Sequence, residues 1–317
     1  MCGIAGLQIT NPGLRPRLGE LLVPMLGMLA GRGPDSTGVA IYSDDGPPGA
    51  TGTKYSLRAP REGYDWDGLA RALDGAGNGT GGDRADGDRA GGDGTGPPEV
   101  RRRGQDAVLV TERAPDHVRE LLASIDPQVR IFGFGAAIEV YKGTGPAPDV
   151  CARYGVDRMA GYQGVGHTRM ATESAVTTEH SHPFAVAPDL ALVHNGSFSN
   201  YAGIRRDLTD AGVRFDTDND SEVAARYIAR ELAAGADLAE AVRRMMKVFD
   251  GFYTLLVATR DSLAVVRDSF ACKPMVIAQT ADYVAVGSEY VALADLPGIE
   301  KAEVFEPAPE ELYTWTA

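Results

Sequence analysis

The chain is predicted to be α+β, with antiparallel sheets stacked on one another and covered by helices. Three observations lead there. Strand-like apolar runs sit at both ends of the chain. Helix-periodic segments lie between them, and short turn-rich stretches separate the C-terminal runs, as in hairpins. The 317 residues suffice for one large core or two modest ones.

The elements follow in order. A first strand is read over residues 2–9, then a helix in which Leu18, Leu21, Leu22, Met25, Leu26 and Leu29 recur at helical spacing. Pro24 inside that pattern predicts a kink or a break. Residues 31–36 form a turn-rich loop and 39–42 a strand. From 75 to 98 the chain is nearly all Gly, Asp, Arg and Ala. Such a segment buries too little apolar surface to offset its ordering entropy, so it is expected to be disordered. Strands at 107–111, 129–134 and 136–141 and helices at 115–125 and 148–154 then make a small α/β excursion. A short buried strand at 190–193 leads into His194-Asn195-Gly196. Helices follow at 221–232 and 238–249, with Asp220 or Ser221, and Asp237, as N-caps. The remainder reads as strands at 253–259, 263–267, 275–279 and 283–288.

Composition excludes several classes. Apolar residues make up 44% and charged residues 24%, ordinary values for a globular protein. No apolar run approaches the ~20 residues of a membrane span, and no signal peptide is read at the N-terminus. Neither a membrane nor nucleic acid is expected as a partner, because a net charge of −13 opposes phosphate binding. Cys2, Cys151 and Cys272 are too widely spaced for a disulfide framework or a zinc site, which points to a reducing, cytoplasmic setting.

The chemistry starts at Cys2. If an aminopeptidase removes Met1, one residue carries both a thiol nucleophile and a free α-amine. An α-amine titrates at roughly 7.7–8.0, within reach of a general base at neutral pH. A thiol attacks as thiolate, so a base beside it matters. On its own, a cysteine at position 2 is equally well a small apolar residue in a first strand. Three further clusters change that balance: Gly166-His167-Thr168-Arg169-Met170-Ala171-Thr172, His194-Asn195-Gly196, and Asp218-Asn219-Asp220-Ser221-Glu222-Val223.

With these the sequence resembles the class II glutamine amidotransferases, whose fold is that of the N-terminal nucleophile (Ntn) hydrolases. The family pattern runs Cys-Gly-Ile-x-Gly, Arg-Gly-x-Asp-Ser-x-Gly, Gly-His-x-Arg-x-Ala-Thr, His-Asn-Gly and Asp-[Ser/Thr]-Glu, and all five occur here in that order. The resemblance implies a four-layer αββα sandwich of two antiparallel sheets. It implies one amidotransferase domain over 1–317, with a family-specific insertion over 45–160 that includes the glycine-rich stretch. It implies Cys2 as nucleophile and Asn195 with Gly196 as the oxyanion hole. Alone, Asn-Gly reads as a plain turn.

Arg169 would grip the α-carboxylate of glutamine with its planar fork; a surface ion pair is the bland reading. Asp220 would pair with the α-ammonium, alongside service as a helix cap. His182 would line the substrate pocket, and His167 and His182 read as structural or pocket-lining rather than catalytic. Arg32, Asp35 and Ser36 would order a loop over that pocket. Cys151 and Cys272 read as packing residues.

The implied reaction hydrolyses L-glutamine to glutamate and ammonia through a cysteine thioester, with no metal or cofactor in this chain. The sequence carries no Ser-Gly-Gly-x-Asp-Ser loop for ATP and no acidic phosphoribosyl-binding loop, so the ammonia acceptor is expected on another polypeptide. The stretches Met170–Thr177 (residues 170–177), Glu139-Val140-Tyr141-Lys142, Thr217-Asp218-Asn219-Asp220 and Ala271-Cys272-Lys273-Pro274 resemble the stand-alone glutaminase subunit of the glutamate synthase and N-methylglutamate synthase type. That branch implies synthase partner subunits, with FMN and Fe–S centres carried there. Two other classes stay open: an Ntn amidase or γ-glutamyl hydrolase acting on another amide, and a non-catalytic scaffold or regulatory subunit.

Overall fold

The structure, a computed structural model, describes residues 2–44, 52–77, 97–171 and 176–317. Strand β1 (Gly3–Ile9) lies inside a seven-stranded sheet. On one side it meets β8 (Gln163–Arg169), followed by β2 (Ser36–Tyr42) and the edge strand β7 (Ile138–Thr144). On the other side come β13 (Tyr283–Gly287), β12 (Val276–Gln279) and β14 (Glu303–Phe305). A four-stranded sheet holds β15 (Leu312–Thr316), β11 (Ser262–Arg267), β10 (Gly251–Ala258) and β9 (Ala191–Phe198) in that order. Neighbouring strands in both sheets run antiparallel.

Strand alternation builds the layers, because successive side chains leave a strand on opposite faces. On β1, Ala5, Leu7 and Ile9 join a core with α1 (Leu18–Met28) and α4 (Ala147–Tyr154), while Ile4 faces the other way. On β10, Leu256 and Ala258 join Ile4, Val165 and Val286 between the two sheets. Leu255 and Val257 point outward to α5 (Tyr201–Asp210), α6 (Asp220–Ala233) and α7 (Leu238–Met246). The order is helices, sheet, sheet, helices: the four-layer αββα sandwich. Each fully buried Leu or Ile on these faces contributes roughly 1.5–3 kcal/mol of burial.

A third sheet, in the order β4 (Glu99–Arg103), β5 (Asp106–Thr111), β3 (Thr53–Arg58), β6 (Arg130–Gly135), packs with α2 (Trp66–Gly77) and α3 (Pro115–Ile125). Its core is separate, built on Tyr55, Leu57, Trp66, Leu109, Val118 and Leu122.

Several expectations need correction. Helix α1 runs unbroken past Pro24, since its buried stripe of Leu18, Leu21, Leu22, Met25 and Leu26 holds both halves to one sheet. Residues 75–77 of the glycine-rich stretch form the last turn of α2, and 97–98 lead into β4; residues 78–96 lie outside the described set. The N-cap of α6 is neither Asp220 nor Ser221 but Asn219, whose side-chain oxygen accepts the Ser221 N–H at 2.9 Å. Asp237 does cap α7, accepting from Glu240 N–H at 2.7 Å. Among the described residues, no helix is long and apolar enough to cross a membrane, and no group of three or more His, Cys, Asp or Glu side chains could hold a metal ion.

Candidate active site

The strand pairing brings the motifs together. β1 lies beside β8, so Gly3 pairs with Thr168, which places Cys2 beside Arg169 and Met170. The Cys2 Sγ lies 3.8 Å from the Met170 carbonyl oxygen and is half-buried. Two side chains hold the carbonyl of Cys2: Asn195 Nδ2 donates to it at 3.2 Å and Arg32 Nε at 3.0 Å. The Arg32 guanidinium is itself paired with Glu289. A cavity of about 590 Å³ opens at this point, and Cys2, Arg169, His182, Asn195, Gly196 and Asp220 all line it.

Asn195 and Gly196 sit inside β9 rather than in a turn after it, in register with Thr254 and Tyr253 of β10. Gly196 has φ +145°, and a Cβ there would lie 1.8 Å from the Phe252 carbonyl oxygen. Glycine is therefore required at this position. The Asn195 amide carries two N–H groups. One is committed to Cys2, which leaves the second for an oxygen in the cavity.

Arg169 ends β8 and is 5% exposed. Burial lowers its pKa from the ordinary guanidinium value, and the negative charges of a Cys2 thiolate, Asp35 and Asp218 oppose that shift. Asp220 occupies the first turn of α6. Its Oδ2 accepts the Phe198 N–H at 2.9 Å and its Oδ1 accepts the Ser221 hydroxyl at 3.2 Å, which straps the helix start to the end of β9. The turn before it is fixed by Glu222, 1% exposed. That carboxylate accepts from the N–H groups of Asp216 and Thr217, the Thr217 hydroxyl and Arg226 Nε, at 2.7–3.0 Å. Arg169 and Lys273 against Asp218 and Asp220 give the cavity two charges of each sign, which suits a zwitterion.

Two buried histidines, His182 and His194, line the cavity, and buried His167 packs against His182. The rings of His167 and His182 stand 4.2 Å apart, and His182 and His194 6.4 Å apart. The His167 Nε2 contacts the His194 carbonyl at 2.9 Å, and His194 Nδ1 contacts Ser221 Oγ at 2.8 Å. Among the described residues, neither ring nitrogen of His182 has a hydrogen-bond partner. Burial holds the pKa of His167 down to about 3 and moves His182 and His194 below the ordinary histidine value, so at neutral pH the wall is uncharged.

Arg32, Asp35 and Ser36 do not line the cavity. Arg32 grips the Cys2 carbonyl, and Asp35 accepts the Ala171 N–H at 2.8 Å while its own N–H donates to the Arg169 carbonyl at 3.0 Å. They work beneath the site, on the backbone that carries Cys2 and Arg169, because β2 runs alongside β8 with Ser36 opposite Arg169. Thr172 of the Gly166–Thr172 motif (residues 166–172) lies outside the described residues. Sequence reasoning assigned no role to Tyr201, Asp218, Phe252 or Lys273, which also line the cavity. For Lys273 a signal existed: a lone cation in a turn between buried strands. Its carbonyl is held by the Thr254 hydroxyl at 2.8 Å.

A cysteine at residue 2, set beside an Asn-Gly pair at the end of an αββα sandwich, defines the Ntn-hydrolase class of fold and, within it, the class II amidotransferases. Comparison with known proteins agrees. A family described as a glutamine amidotransferase domain matches residues 167–295. The chain is 44% identical to the glutamine amidotransferase-like protein GlxB of Rhizobium meliloti (strain 1021), over 99% of this chain and 98% of that protein. It is 31% identical to a putative glutamine amidotransferase of Methanothermobacter thermautotrophicus, over 99% of each. Among solved structures, the glutamine phosphoribosylpyrophosphate amidotransferase of B. subtilis shares the fold with a TM-score of 0.59 at 17% identity. A structure described as the allosteric regulatory enzyme of purine biosynthesis does so with a TM-score of 0.61 at 17% identity. This chain is covered to 99% in both and spans about half the length of those two, 47% and 46%. The chain belongs to the glutamine amidotransferase family and is an enzyme of that class.

Proposed function

We propose that this chain hydrolyses L-glutamine to glutamate and ammonia through a thioester on Cys2, and passes the ammonia to a separate synthase subunit of glutamate-synthase type. The observation that carries the reading is the bond from Asn195 Nδ2 to the Cys2 carbonyl, which holds residues 193 apart in sequence around one cavity. With Met1 removed, the α-amine of Cys2 takes the thiol proton, and the thiolate adds to the side-chain amide carbon. The second Asn195 N–H and the Gly196 backbone N–H meet the oxyanion that forms. The C–N bond then breaks, the amine returns its proton to the leaving nitrogen, and ammonia departs from the thioester. Water, deprotonated by the same amine, adds to the thioester carbon; the C–S bond breaks and the thiol regains its proton as glutamate leaves. Arg169 holds the substrate carboxylate and Asp220, with Asp218, its ammonium. His182, neutral, gives the bound amino acid an uncharged wall.

The synthase partner is supported by the stretches 139–142, 217–220 and 271–274, and by the surface at the cavity mouth. Phe252, which lines the cavity, is 51% exposed, and its ring lies 5.2 Å from that of Phe270, itself 71% exposed. An exposed apolar pair beside the cavity is the kind of patch a partner covers. FMN and Fe–S chemistry would belong to that partner.

The test is glutamine turnover by the purified chain, after intact-mass measurement has shown Met1 to be absent. Glutamate and ammonia are expected in equal amounts, with faster turnover when the host's synthase subunits are added. A processed chain that leaves glutamine untouched with and without those subunits would reject the reading. Arg169→Lys should raise the KM for glutamine roughly tenfold or more with a smaller change in kcat, since a point charge cannot reproduce the two-pronged grip. An unaltered KM would remove Arg169 from carboxylate binding.

A further inference from the structure

A second cavity, of about 520 Å³, lies where the third sheet meets the sandwich. One side carries Leu122 of α3 and Val129, Ile131, Phe132 and Phe134 on and beside β6, with Arg119 and Arg130 of the same two elements also in the lining. Phe184 and Val186 close another side, and the segment from Asp216 to Arg226 a third. Lys142 of β7 reaches into this space and is 3% exposed. Its ammonium lies 5.1 Å from the centres of both the Phe132 and the Phe184 rings. Among the described residues, no carboxylate comes within salt-bridge distance of it and no acceptor hydrogen-bonds it.

Two of the three acids around Lys142, Glu222 and Asp216, are engaged by other groups. Glu222 accepts four hydrogen bonds, and Asp216 is bound by Arg226 at 2.7 Å. Glu179 is exposed. Lys54, 4% exposed, shows how the same molecule satisfies an ordinary buried lysine: Glu139 lies at 3.4 Å and the Ser43 hydroxyl at 3.1 Å. A buried cation normally has such a partner, because its water shell has been given up. Burial also brings the Lys142 pKa down to about 8, which leaves it mostly charged at neutral pH.

We propose that this cavity binds a small carboxylate with an apolar or aromatic body, its negative head on Lys142 and its body against Phe132, Phe134, Phe184 and Leu122. The size of the space admits a molecule of one ring or a short branched chain. The site does not depend on the glutamine reading. It adjoins the catalytic cavity, however: His182 lines one and Phe184 the other, with their rings 5.0 Å apart.

Benzoate is a suitable probe, with benzamide as its neutral counterpart and inorganic phosphate as a headgroup without a body. Calorimetric titration of the full chain should show benzoate binding at least tenfold tighter than benzamide or phosphate. Lys142→Met, similar in length and apolar, should weaken benzoate at least tenfold. On the wild-type chain, benzoate should protect Lys142 from trinitrobenzenesulfonate, read by peptide mass spectrometry; this arm decides the matter even if the variant fails to fold. Benzoate that binds no better than benzamide, that binds Lys142→Met equally well, or that leaves Lys142 unprotected would overturn the assignment. Phosphate binding tighter than benzoate would do the same.

Discussion

Replacing Cys2 with alanine should abolish glutamine hydrolysis, a fall on the order of 10⁴-fold or more, as expected when a nucleophile is removed. The fold should survive. The Sγ makes one long contact, 3.8 Å to the Met170 carbonyl, and the bonds that place residue 2 go to its backbone carbonyl, which alanine retains. A melting temperature within a degree or two of the parent would separate lost chemistry from lost structure. Undiminished turnover in the alanine variant would defeat the thioester mechanism.

Asn195→Ala should carry the next largest loss, roughly 10²–10³ in kcat with little change in KM. The substitution removes two things together: the donor to the oxyanion and the donor to the Cys2 carbonyl. The latter is a neutral hydrogen bond, worth about 0.5–1.5 kcal/mol of stability. Arg32 Nε still holds the carbonyl at 3.0 Å, so Cys2 stays in place. Asn195→Asp keeps the size, removes the same N–H donors, and places a carboxylate beside the developing charge. It should be at least as slow as the alanine variant. A loss in Asn195→Ala of less than about fivefold in kcat would mean that the oxyanion is stabilised elsewhere.

Much of this architecture was legible from residue patterns, and the exceptions have physical causes. Helix α3 begins and ends where its periodicity does, with Pro115 preset for the first turn. Helix α5 was missed because only Ile204 and Leu208 are buried along its ten residues, too few to mark a period. α2 was missed although Trp66, Leu69 and Leu73 sit at helical spacing, because the glycine-rich stretch that follows dominates the composition. The strand β9 was cut short at 193, since Asn-Gly usually turns a chain. Here the unusual φ of Gly196 lets it continue in register with Tyr253. Of the side chains around the cavity, Cys2, Arg169, Asn195 and Asp220 could be named from motifs, whereas Tyr201, Phe252 and Lys273 could not. The grip of Arg32 on Cys2 could not, for it depends on the helix α1 returning the chain to the start of β1. Nor could the absence, among the described residues, of an ion-pair partner for Lys142, which depends on how distant segments meet around it.

The anchoring of residue 2 through its carbonyl has a consequence for maturation. Arg32, Asn195 and the pairing of β1 with β8 all act on the C-terminal side of the Met1–Cys2 peptide bond. The bonds that place residue 2 therefore do not depend on whether Met1 is attached. On the mechanism proposed, trimming would switch on reactivity in an already assembled molecule, so that folding and activation are governed by separate events.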